Sequence, residues 1–265
     1  MDELHQKKAV LLERLKNCGS VAVAFSAGVD SAFLLACAAQ TGIPVLAVTL
    51  SANAVPRHEL EAAAAFCRER GIPQRVIEFD QFTIPAFVTN AKDRCYHCKK
   101  ALFTAVKAAA AEAGCRCVLE GSNADDALKY RPGMKAVEEI GVLSPLREAG
   151  LTKAEIRALS AEMGLPTAAK PSMSCLATRF PYGQTLTRGA LAAVENGEAY
   201  LFSLGLRQVR LRVHGDVARI EVPPEQLSVM TARDTAEQTV RRLRALGFRY
   251  VTLDLQGFRS GSMDE

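Results

Sequence analysis

The sequence predicts an α/β protein, with a parallel-sheet domain followed by a small α+β domain. Three observations predict it. Short apolar runs of strand length alternate with helical segments through the first two-thirds of the chain. Two of these strands lead directly into small polar loops, at 26–31 and 121–126, as ligand-binding strands of parallel sheets do. After Gly183 the order changes to helix, hairpin, helix and strand. We therefore expect domains at 1–183 and 184–265.

Hydrophobic periodicity defines the elements of each domain. In the first, we expect helices at 5–17, 32–40, 58–70, 95–113 and 151–163, and strands at 21–25, 45–50, 75–79 and 117–120. Thr152 and Glu155 predict a capping box at the start of the last of these helices. In the second, we expect helices at 187–204 and 224–246, and strands at 208–213, 217–222 and 250–255. The proline-rich stretch 170–183 has no clean period and predicts a linker or an active-site loop.

Composition and charge indicate which classes of protein this chain does not belong to. A hydrophobic content of 49% is enough for a core, and a net charge of +4 is well below that of a dedicated nucleic-acid-binding domain. The N-terminal segment is charged and amphipathic, unlike a signal peptide, and no apolar run is long enough to span a membrane. We expect a cytoplasmic protein that binds neither membranes nor nucleic acid, and an anionic small-molecule substrate suits its charge.

The first polar loop joins a buried strand to a helix. Because free backbone N–H groups and the positive end of the dipole lie at a helix N-terminus, the loop predicts an anion site. Gly28 allows close backbone approach, and Ser26 and Ser31 add hydroxyl groups. The loop lacks the Gly-Lys-Ser/Thr of a Walker A motif. An ordinary strand-to-helix turn is the alternative interpretation.

The second polar loop, GSNADD at 121–126, follows the fourth predicted strand. Its adjacent carboxylates, Asp125 and Asp126, suit Mg²⁺, which takes oxygen ligands beside substrate phosphates. A helix N-cap with a solvated neighbour would explain them equally well. Since carboxyl ends of parallel strands share one edge of a sheet, both loops are expected at that edge.

A CxxC pair, Cys95 and Cys98, begins a predicted helix. Zinc would need further ligands, commonly a second such pair, and the only other close cysteines, Cys115 and Cys117, are separated by one residue instead of two. Thiol exchange or an inert helix start are the alternatives. Two lysines follow, and we retain Lys100 as a candidate catalytic cation that could meet a phosphate.

Cys175 is the single cysteine of the proline-rich stretch and belongs to no periodic core pattern. Arg179 follows four residues later, and a nearby guanidinium would favour the thiolate, which is the reactive form. We predict that both are catalytic. A buried loop thiol is the alternative.

The first strand of the predicted hairpin carries Arg210 and Arg212 on one face. Two guanidinium groups can bind a phosphate bidentately, although a solvated sheet face is the alternative. Glu198 and Glu221 flank the hairpin in sequence and could bind metal or act as a base, although solvated carboxylates are commoner.

The motifs together closely resemble one family, the ATP-dependent sacrificial sulfur transferases of the LarE type, within the PP-loop (adenine nucleotide alpha hydrolase-like) ATP pyrophosphatases. The resemblance covers nearly the whole chain. It rests on SAGVDS at 26–31, RCYHCK at 94–99, GSNADD at 121–126, SPL at 144–146 with GLTKAEIR at 150–157, and KPSMSCLATRFPYG at 170–183.

The resemblance implies a reaction and its cofactors, ATP and Mg²⁺. ATP adenylates a carboxylate of a pyridinium dicarboxylate mononucleotide, the cysteine at position 175 forms a thioester, and Cβ–S cleavage leaves dehydroalanine and a thiocarboxylate for the nickel-pincer cofactor of lactate racemase. Arg210 and Arg212 match the substrate-phosphate pair, and Glu198 a nearby metal or base position. The expected ATP-binding residues are Ser26, Ala27, Gly28, Val29, Asp30, Ser31, Gly121, Asn123 and Asp125. The expected metal ligands are Asp30, Asp126, Glu198 and Glu221. The family also implies a homo-oligomer, with a hexamer as the expected order.

Two departures from family patterns matter. Ala27 replaces the first glycine of the usual SGGxDS loop. Some members carry extra cysteines and a 4Fe–4S cluster, but here Thr178 precedes Arg179 and no cysteine follows Cys175, which favours the sacrificial route. A tRNA-thiolating enzyme of the same superfamily, an amide-forming synthetase and a non-catalytic ATP-binding sensor are the rival hypotheses.

Overall fold

The computed structural model describes residues 2–128, 132–259 and 261–263, and within them the chain forms two compact units. The first comprises 1–84 and 93–173, and the second 85–92 and 174–265. The chain thus passes into the second unit ten residues before the boundary expected from the change in sequence character. The short segment 85–92 belongs to the second unit because the Asn90 side chain donates to the carbonyls of Phe180 and Pro181.

The first unit is built on a parallel sheet, as predicted. Its strands are β1 (Val21–Ala24), β2 (Val45–Ala52), β3 (Gln74–Phe79) and β4 (Cys117–Leu119), in the order β3-β2-β1-β4. Its helices are α1 (Glu3–Asn17), α2 (Val29–Gln40), α3 (Arg57–Glu69), α5 (Arg94–Glu112), α6 (Pro132–Ile140), α7 (Pro145–Glu148) and α8 (Lys153–Glu162), while α4 (Pro85–Val88) lies in the second unit. The sequence patterns do not predict α4, α6 and α7, of which α4 and α7 have only four residues each.

Helices cover both faces of this sheet. Val21 and Val23 of β1 face one apolar cluster with α1, α2, α3 and α8, whereas Ala22 faces a second cluster with α5 and α6. This alternation follows from the two-residue period of a strand. The predicted capping box of α8 is present, since Thr152 and Glu155 each accept a backbone N–H from the other.

The second unit contains a three-stranded sheet. Its elements are α9 (Arg188–Ser203), β5 (Arg210–His214), β6 (Val217–Glu221), α10 (Leu227–Thr231), α11 (Arg233–Ala245) and β7 (Tyr250–Leu253). β5 and β6 form the expected antiparallel hairpin, and β7 pairs parallel to β6. A short 3₁₀ turn, Leu176–Arg179, precedes α9.

One predicted helix, 224–246, is wrong as a single element. It is a 3₁₀ turn followed by α10 and α11, which are separated at Ala232 by an extended backbone with ψ 131°. The Thr231 hydroxyl donates to the carbonyls of Leu227 and Ser228 in the last turn of α10. The break lets each helix bury its own apolar residue, Met230 in α10 and Leu243 in α11.

None of the helices in the described part of the chain is both long and apolar enough to cross a membrane. All eight cysteines are free thiols. Cys37 and Cys67 are core residues as expected, and burial raises their pKa values to about 12 and about 11.

Candidate functional site

The candidate residues other than Lys100 fall into two groups, one in each unit. The first group lies where the strand order of the parallel sheet reverses, at the carboxyl ends of β1 and β4. Neighbouring connections there leave the sheet in opposite directions, which opens the crevice where α/β proteins bind ligands. Both polar loops, 26–31 and 121–126, begin at this point.

The first loop presents the N-terminus of α2. Gly28 is the N-cap and has no side chain to occupy the first N–H groups of the helix, so these groups suit an anion. Ser26 and Ser31 hydrogen-bond to each other through their hydroxyls at 3.1 Å. Ala27 is buried and has φ +55°, the left-handed region that favours glycine, which explains the family's usual residue there.

The second loop packs directly on the first. A Cβ at Gly121 would lie 3.0 Å from the Ser31 backbone nitrogen, so glycine permits this close approach. The Asn123 side-chain amide donates to Asp30 at 3.4 Å. The predicted ATP-binding residues of the two loops are therefore brought together, and their role in binding ATP stays a prediction.

The three aspartates of the two loops differ in whether they bind backbone or side-chain groups. Asp125 and Asp126 accept backbone N–H groups, from Lys153 at 2.8 Å and from Asn123 at 3.1 Å. Asp30 instead contacts side chains, the amide of Asn123 and the ammonium of Lys153. Because Asp30 is a partly exposed oxygen ligand beside an anion site, it fits Mg²⁺ accompanying a nucleotide. Asp126 thus bonds back to the residue before its own 3₁₀ turn, and its metal role stays a prediction.

Sequence reasoning missed three charged side chains at the first loop. Lys153, at the start of α8, pairs with Asp30. Lys170 donates to the carbonyl of Ala27 at 3.0 Å and to Glu59 at 2.6 Å. Burial would raise the pKa of Glu59, but hydrogen bonds and charges from His58 and Lys170 outweigh it and lower that pKa. Both lysines lie inside segments that carry the family resemblance, but nothing in their spacing indicates the partners.

Lys100 lies elsewhere in the first unit. Its exposed ammonium binds Glu139 of α6 at 3.0 Å and the Tyr96 hydroxyl at 3.1 Å. The Glu139 hydrogen bond, followed by that of Tyr96, raises the pKa of Lys100. The CxxC pair lies in the first two turns of α5, where Cys95 is exposed and the Sγ of Cys98 accepts from the Gln81 side-chain amide at 3.1 Å. The catalytic role of Lys100 stays a prediction.

The second group surrounds Cys175, which is exposed at the N-cap of the 3₁₀ turn 176–179. Arg179 is fully buried and donates two hydrogen bonds to the Glu198 carboxylate, from Nε to Oε1 at 2.8 Å and from Nη2 to Oε2 at 3.0 Å. Its remaining N–H groups donate to the carbonyls of Ser174 and Cys175 and to the hydroxyls of Ser174 and Thr178. Arg179 therefore fixes the backbone of the turn that carries Cys175.

The hairpin supplies a second buried ion pair. Arg212 donates to Glu221 at 3.0 Å and to the carbonyl of Thr178, which lies in the Cys175 turn, at 3.0 Å. Glu221 also accepts from Arg219 and from the Ser262 hydroxyl. Arg210 packs over the Phe258 ring, with its guanidinium carbon 5.2 Å from the centroid. Arg210 and Arg212 are buried, so the solvated sheet face considered above is wrong.

We call Arg179, Arg210, Arg212, Glu198 and Glu221 the arginine cluster. Among the described residues of the second unit, these three arginines and two glutamates are the fully buried charged side chains. Within this cluster, the guanidinium groups therefore outnumber the carboxylates by one. Burial and the neighbouring Arg179 charge lower the pKa of Arg210 to about 10. A bound anion would relieve this electrostatic cost.

The arginine cluster does not favour the metal role predicted for Glu198 and Glu221. Each carboxylate is already bound by guanidinium groups, and the surrounding charge is positive. Within the described residues, no group of three or more His, Cys, Asp or Glu side chains is placed to hold a metal ion. Both glutamates instead orient arginines, and their metal role stays a prediction.

Comparison with known proteins identifies full-length relatives. The chain is 38% identical to the pyridinium-3,5-bisthiocarboxylic acid mononucleotide synthase of Lactiplantibacillus plantarum, over 100% of this chain and 96% of the relative. It is 37% identical to an uncharacterised protein of Synechocystis, over 91% of each chain. An uncharacterised protein of Methanocaldococcus jannaschii is 25% identical over 98% of each chain. No family model matches the sequence.

Proposed function

Because this chain belongs to the family of pyridinium-3,5-bisthiocarboxylic acid mononucleotide synthases, we propose that it is an ATP-dependent sulfur transferase acting on the pyridinium dicarboxylate mononucleotide. The observation that carries the proposal is the arginine cluster behind an exposed cysteine. Its excess positive charge suits the substrate phosphate, and Arg210 and Arg212 are the residues that we expect to bind it.

The first step uses the two loops of the parallel sheet. A substrate carboxylate oxygen attacks the α-phosphate of ATP, and pyrophosphate leaves, so that the carboxyl carbon is activated as an acyl-adenylate. The N–H groups at the start of α2 would bind phosphate oxygens. Asp30 would hold Mg²⁺, which neutralises phosphate charge when bound.

The second step uses Cys175. Its thiolate attacks the acyl carbon and AMP leaves, which gives a thioester. Removal of the Cys175 Cα proton then breaks the Cβ–S bond, so the sulfur departs as the thiocarboxylate and dehydroalanine remains. Exposure of Cys175 and the fixed backbone of its turn support this role. Each chain would then supply one sulfur atom.

Intact-protein mass spectrometry tests the proposal. After incubation with ATP, Mg²⁺ and the dicarboxylate mononucleotide, we expect the chain to lose the elements of H₂S at Cys175. Cys175→Ala should still release pyrophosphate but transfer no sulfur. Cys95→Ala is a matched control, since Cys95 is also exposed, and should behave as wild type. An unchanged mass during continued sulfur transfer would exclude the sacrificial mechanism, and ATP binding without pyrophosphate release would favour a sensor.

We propose a homo-oligomer as the functional assembly, with a hexamer as the order implied by the family resemblance. Light scattering coupled to size-exclusion chromatography measures this directly. The expected mass is about six times that of the 28.6 kDa chain. A mass equal to one chain at micromolar concentration would contradict the assembly without affecting the proposed chemistry.

A further inference from the structure

The CxxC pair of Cys95 and Cys98 takes no part in the proposed sulfur transfer, and its spacing on a helix suits a disulfide. The two cysteines lie three residues apart near the start of α5. In an α-helix this spacing puts the two Cα atoms about 5 Å apart, with both side chains on one face. A disulfide needs a Cα separation of about 4.4–6.8 Å. The helical backbone of α5 therefore already provides the separation that a bond between the two sulfurs requires.

The start of α5 favours negative charge on a sulfur atom. Among the described residues, the Asp93 carboxylate at the N-cap accepts no backbone N–H of α5, and it binds His97 Nε2 at 3.1 Å. The first four residues of the helix are Arg-Cys-Tyr-His, none of which is acidic. The positive end of the helix dipole therefore lies beside Cys95, the second residue of α5. Thiol–disulfide exchange passes through sulfur anions, which a helix N-terminus stabilises.

The two thiols differ in exposure, as the two steps of an exchange require. Cys95 is exposed and can meet a small molecule in solution, whereas Cys98 is half-buried. The Sγ of Cys98 accepts the side-chain amide of Gln81 at 3.1 Å. Gln81 is buried, and its side-chain oxygen accepts the Ala54 backbone N–H at 2.7 Å, so this donor is fixed in place. The exposures assign Cys95 as the attacking thiol and Cys98 as the resolving thiol.

Four other cysteines of the first unit suit exchange less well. Burial raises the pKa values of Cys18, Cys37, Cys67 and Cys115, which disfavours their thiolates. Metal binding by the CxxC pair would need further ligands, and the described residues contain no group of three or more His, Cys, Asp or Glu side chains placed to supply them. Exchange with another disulfide is therefore the chemistry that the CxxC pair fits best.

We propose that Cys95 and Cys98 form a reversible disulfide by exchange with a low-molecular-weight disulfide such as glutathione disulfide. The Cys95 thiolate attacks one sulfur of the small disulfide, whose S–S bond breaks, and one glutathione leaves as the thiol. The Cys98 thiolate then attacks the Cys95 sulfur, and the second glutathione leaves. In total the pair loses two protons and two electrons, which the small disulfide gains. The exchange does not depend on the proposed sulfur transfer, which uses Cys175.

Peptide mapping tests the site, because trypsin releases both cysteines in one peptide. Cleavage after Arg94 and Lys99 gives residues 95–99, CYHCK. The full-length protein is equilibrated with mixtures of reduced and oxidised glutathione, quenched in acid and digested. As the oxidised fraction rises, we expect the peptide to lose two hydrogen atoms, to carry no glutathione and to stop reacting with N-ethylmaleimide. Cys98→Ser should instead leave Cys95 bound to one glutathione, and Cys95→Ser should leave Cys98 reduced.

Cys115→Ser is the matched control. Cys115 is half-buried like Cys98 and lies in the same unit, and its replacement should leave oxidation of the 95–99 peptide unchanged. A wild-type peptide that keeps both thiols in fully oxidised glutathione, or that holds a stable glutathione on Cys95, would overturn the proposal. So would a disulfide between Cys95 and Cys175, or bound zinc that protects both thiols of the reduced protein from maleimide.

Discussion

At the scale of single residues, Arg179 shows how a charged side chain can shape a loop without facing solvent. Its guanidinium donates to the Glu198 carboxylate on one side and to the backbone carbonyls of Ser174 and Cys175 on the other. From the sequence, we expect the Arg179 guanidinium to lie beside the Cys175 thiol and to favour its thiolate form. The contacts instead make Arg179 a positioning residue for the loop, and its catalytic role stays a prediction.

The buried ion pair between Arg179 and Glu198 predicts how Arg179→Lys changes stability and activity. Lysine keeps the charge but cannot replace the bidentate contact or the bonds to the turn, so we expect a cost that approaches, and does not exceed, the loss of about 3–5 kcal/mol on removing one partner of a buried ion pair. We expect a lower Tm, and sulfur transfer that slows more than pyrophosphate release at temperatures where circular dichroism shows a folded variant. Arg233→Ala, which removes an exposed pair on α11, should leave Tm unchanged. An unchanged Tm for Arg179→Lys would contradict the positioning role.

The Glu59–Lys170 pair predicts a pH-dependent difference in stability. Because the folded-state pKa of Glu59 is lowered, its contribution is fully present above the ordinary value of 4.5 and is lost as pH falls through the lowered pKa. We expect wild type to exceed Lys170→Met in Tm at pH 7, with a gap that narrows in acid. Thermal melts from pH 7 to pH 3 measure it. A gap that stays constant over this range would contradict the linkage.

At the scale of elements, close packing between α9 and β5 places Glu198 within reach of its partners. Glu198 accepts the Leu211 backbone N–H of β5 at 2.9 Å as well as the two Arg179 bonds. The preceding residue, Gly197, allows this approach. A Cβ there would lie 2.4 Å from a Leu211 methyl and 3.1 Å from a Leu243 methyl. A small residue of α9 thus positions the arginine cluster.

Gly197→Ala tests this packing. Leu211 and Leu243 are fully buried, so neither can move aside without strain, and overpacking costs about 1–3 kcal/mol. We expect a reduced free energy of unfolding and weaker substrate binding. Gly189→Ala on the same helix has open space around it and should be neutral or slightly stabilising. Equal denaturation midpoints for the two variants would show that α9 is not closely packed at Gly197.

At the scale of the whole molecule, the modest net charge of +4 favours the proposed function over tRNA thiolation. A protein that binds tRNA through many phosphate contacts loses affinity steeply with salt. We expect filter binding to detect only weak, non-specific association, with a Kd no tighter than about 1 µM at physiological salt. Submicromolar tRNA binding that falls sharply between low and high salt would favour the rival enzyme.

Sequence patterns predicted most of the fold because its elements depend on local information. Strand length, helical period and capping residues located β1 to β4 and the capping box of α8. They failed for 224–246, where a helical pattern continues through Ala232 although the backbone does not. α10 and α11 each bury a different apolar residue, Met230 and Leu243. The position of the break between them therefore depends on tertiary packing, which the helical period of the sequence does not contain.

The sequence by itself determined the two polar loops, the candidate cysteine and the family, because these are carried by short contiguous motifs. Only the tertiary structure decided which charges meet. Asp30 and Lys153 are 123 residues apart. They pair because the loops after β1 and β4 lie at the same edge of the sheet, and the Lys153 backbone N–H binds Asp125 of the second loop. Glu198 and Glu221 look like solvated or metal-binding carboxylates in the sequence, yet packing buries each against a guanidinium. Burial and long-range pairing depend on the whole chain, so no local pattern contains them.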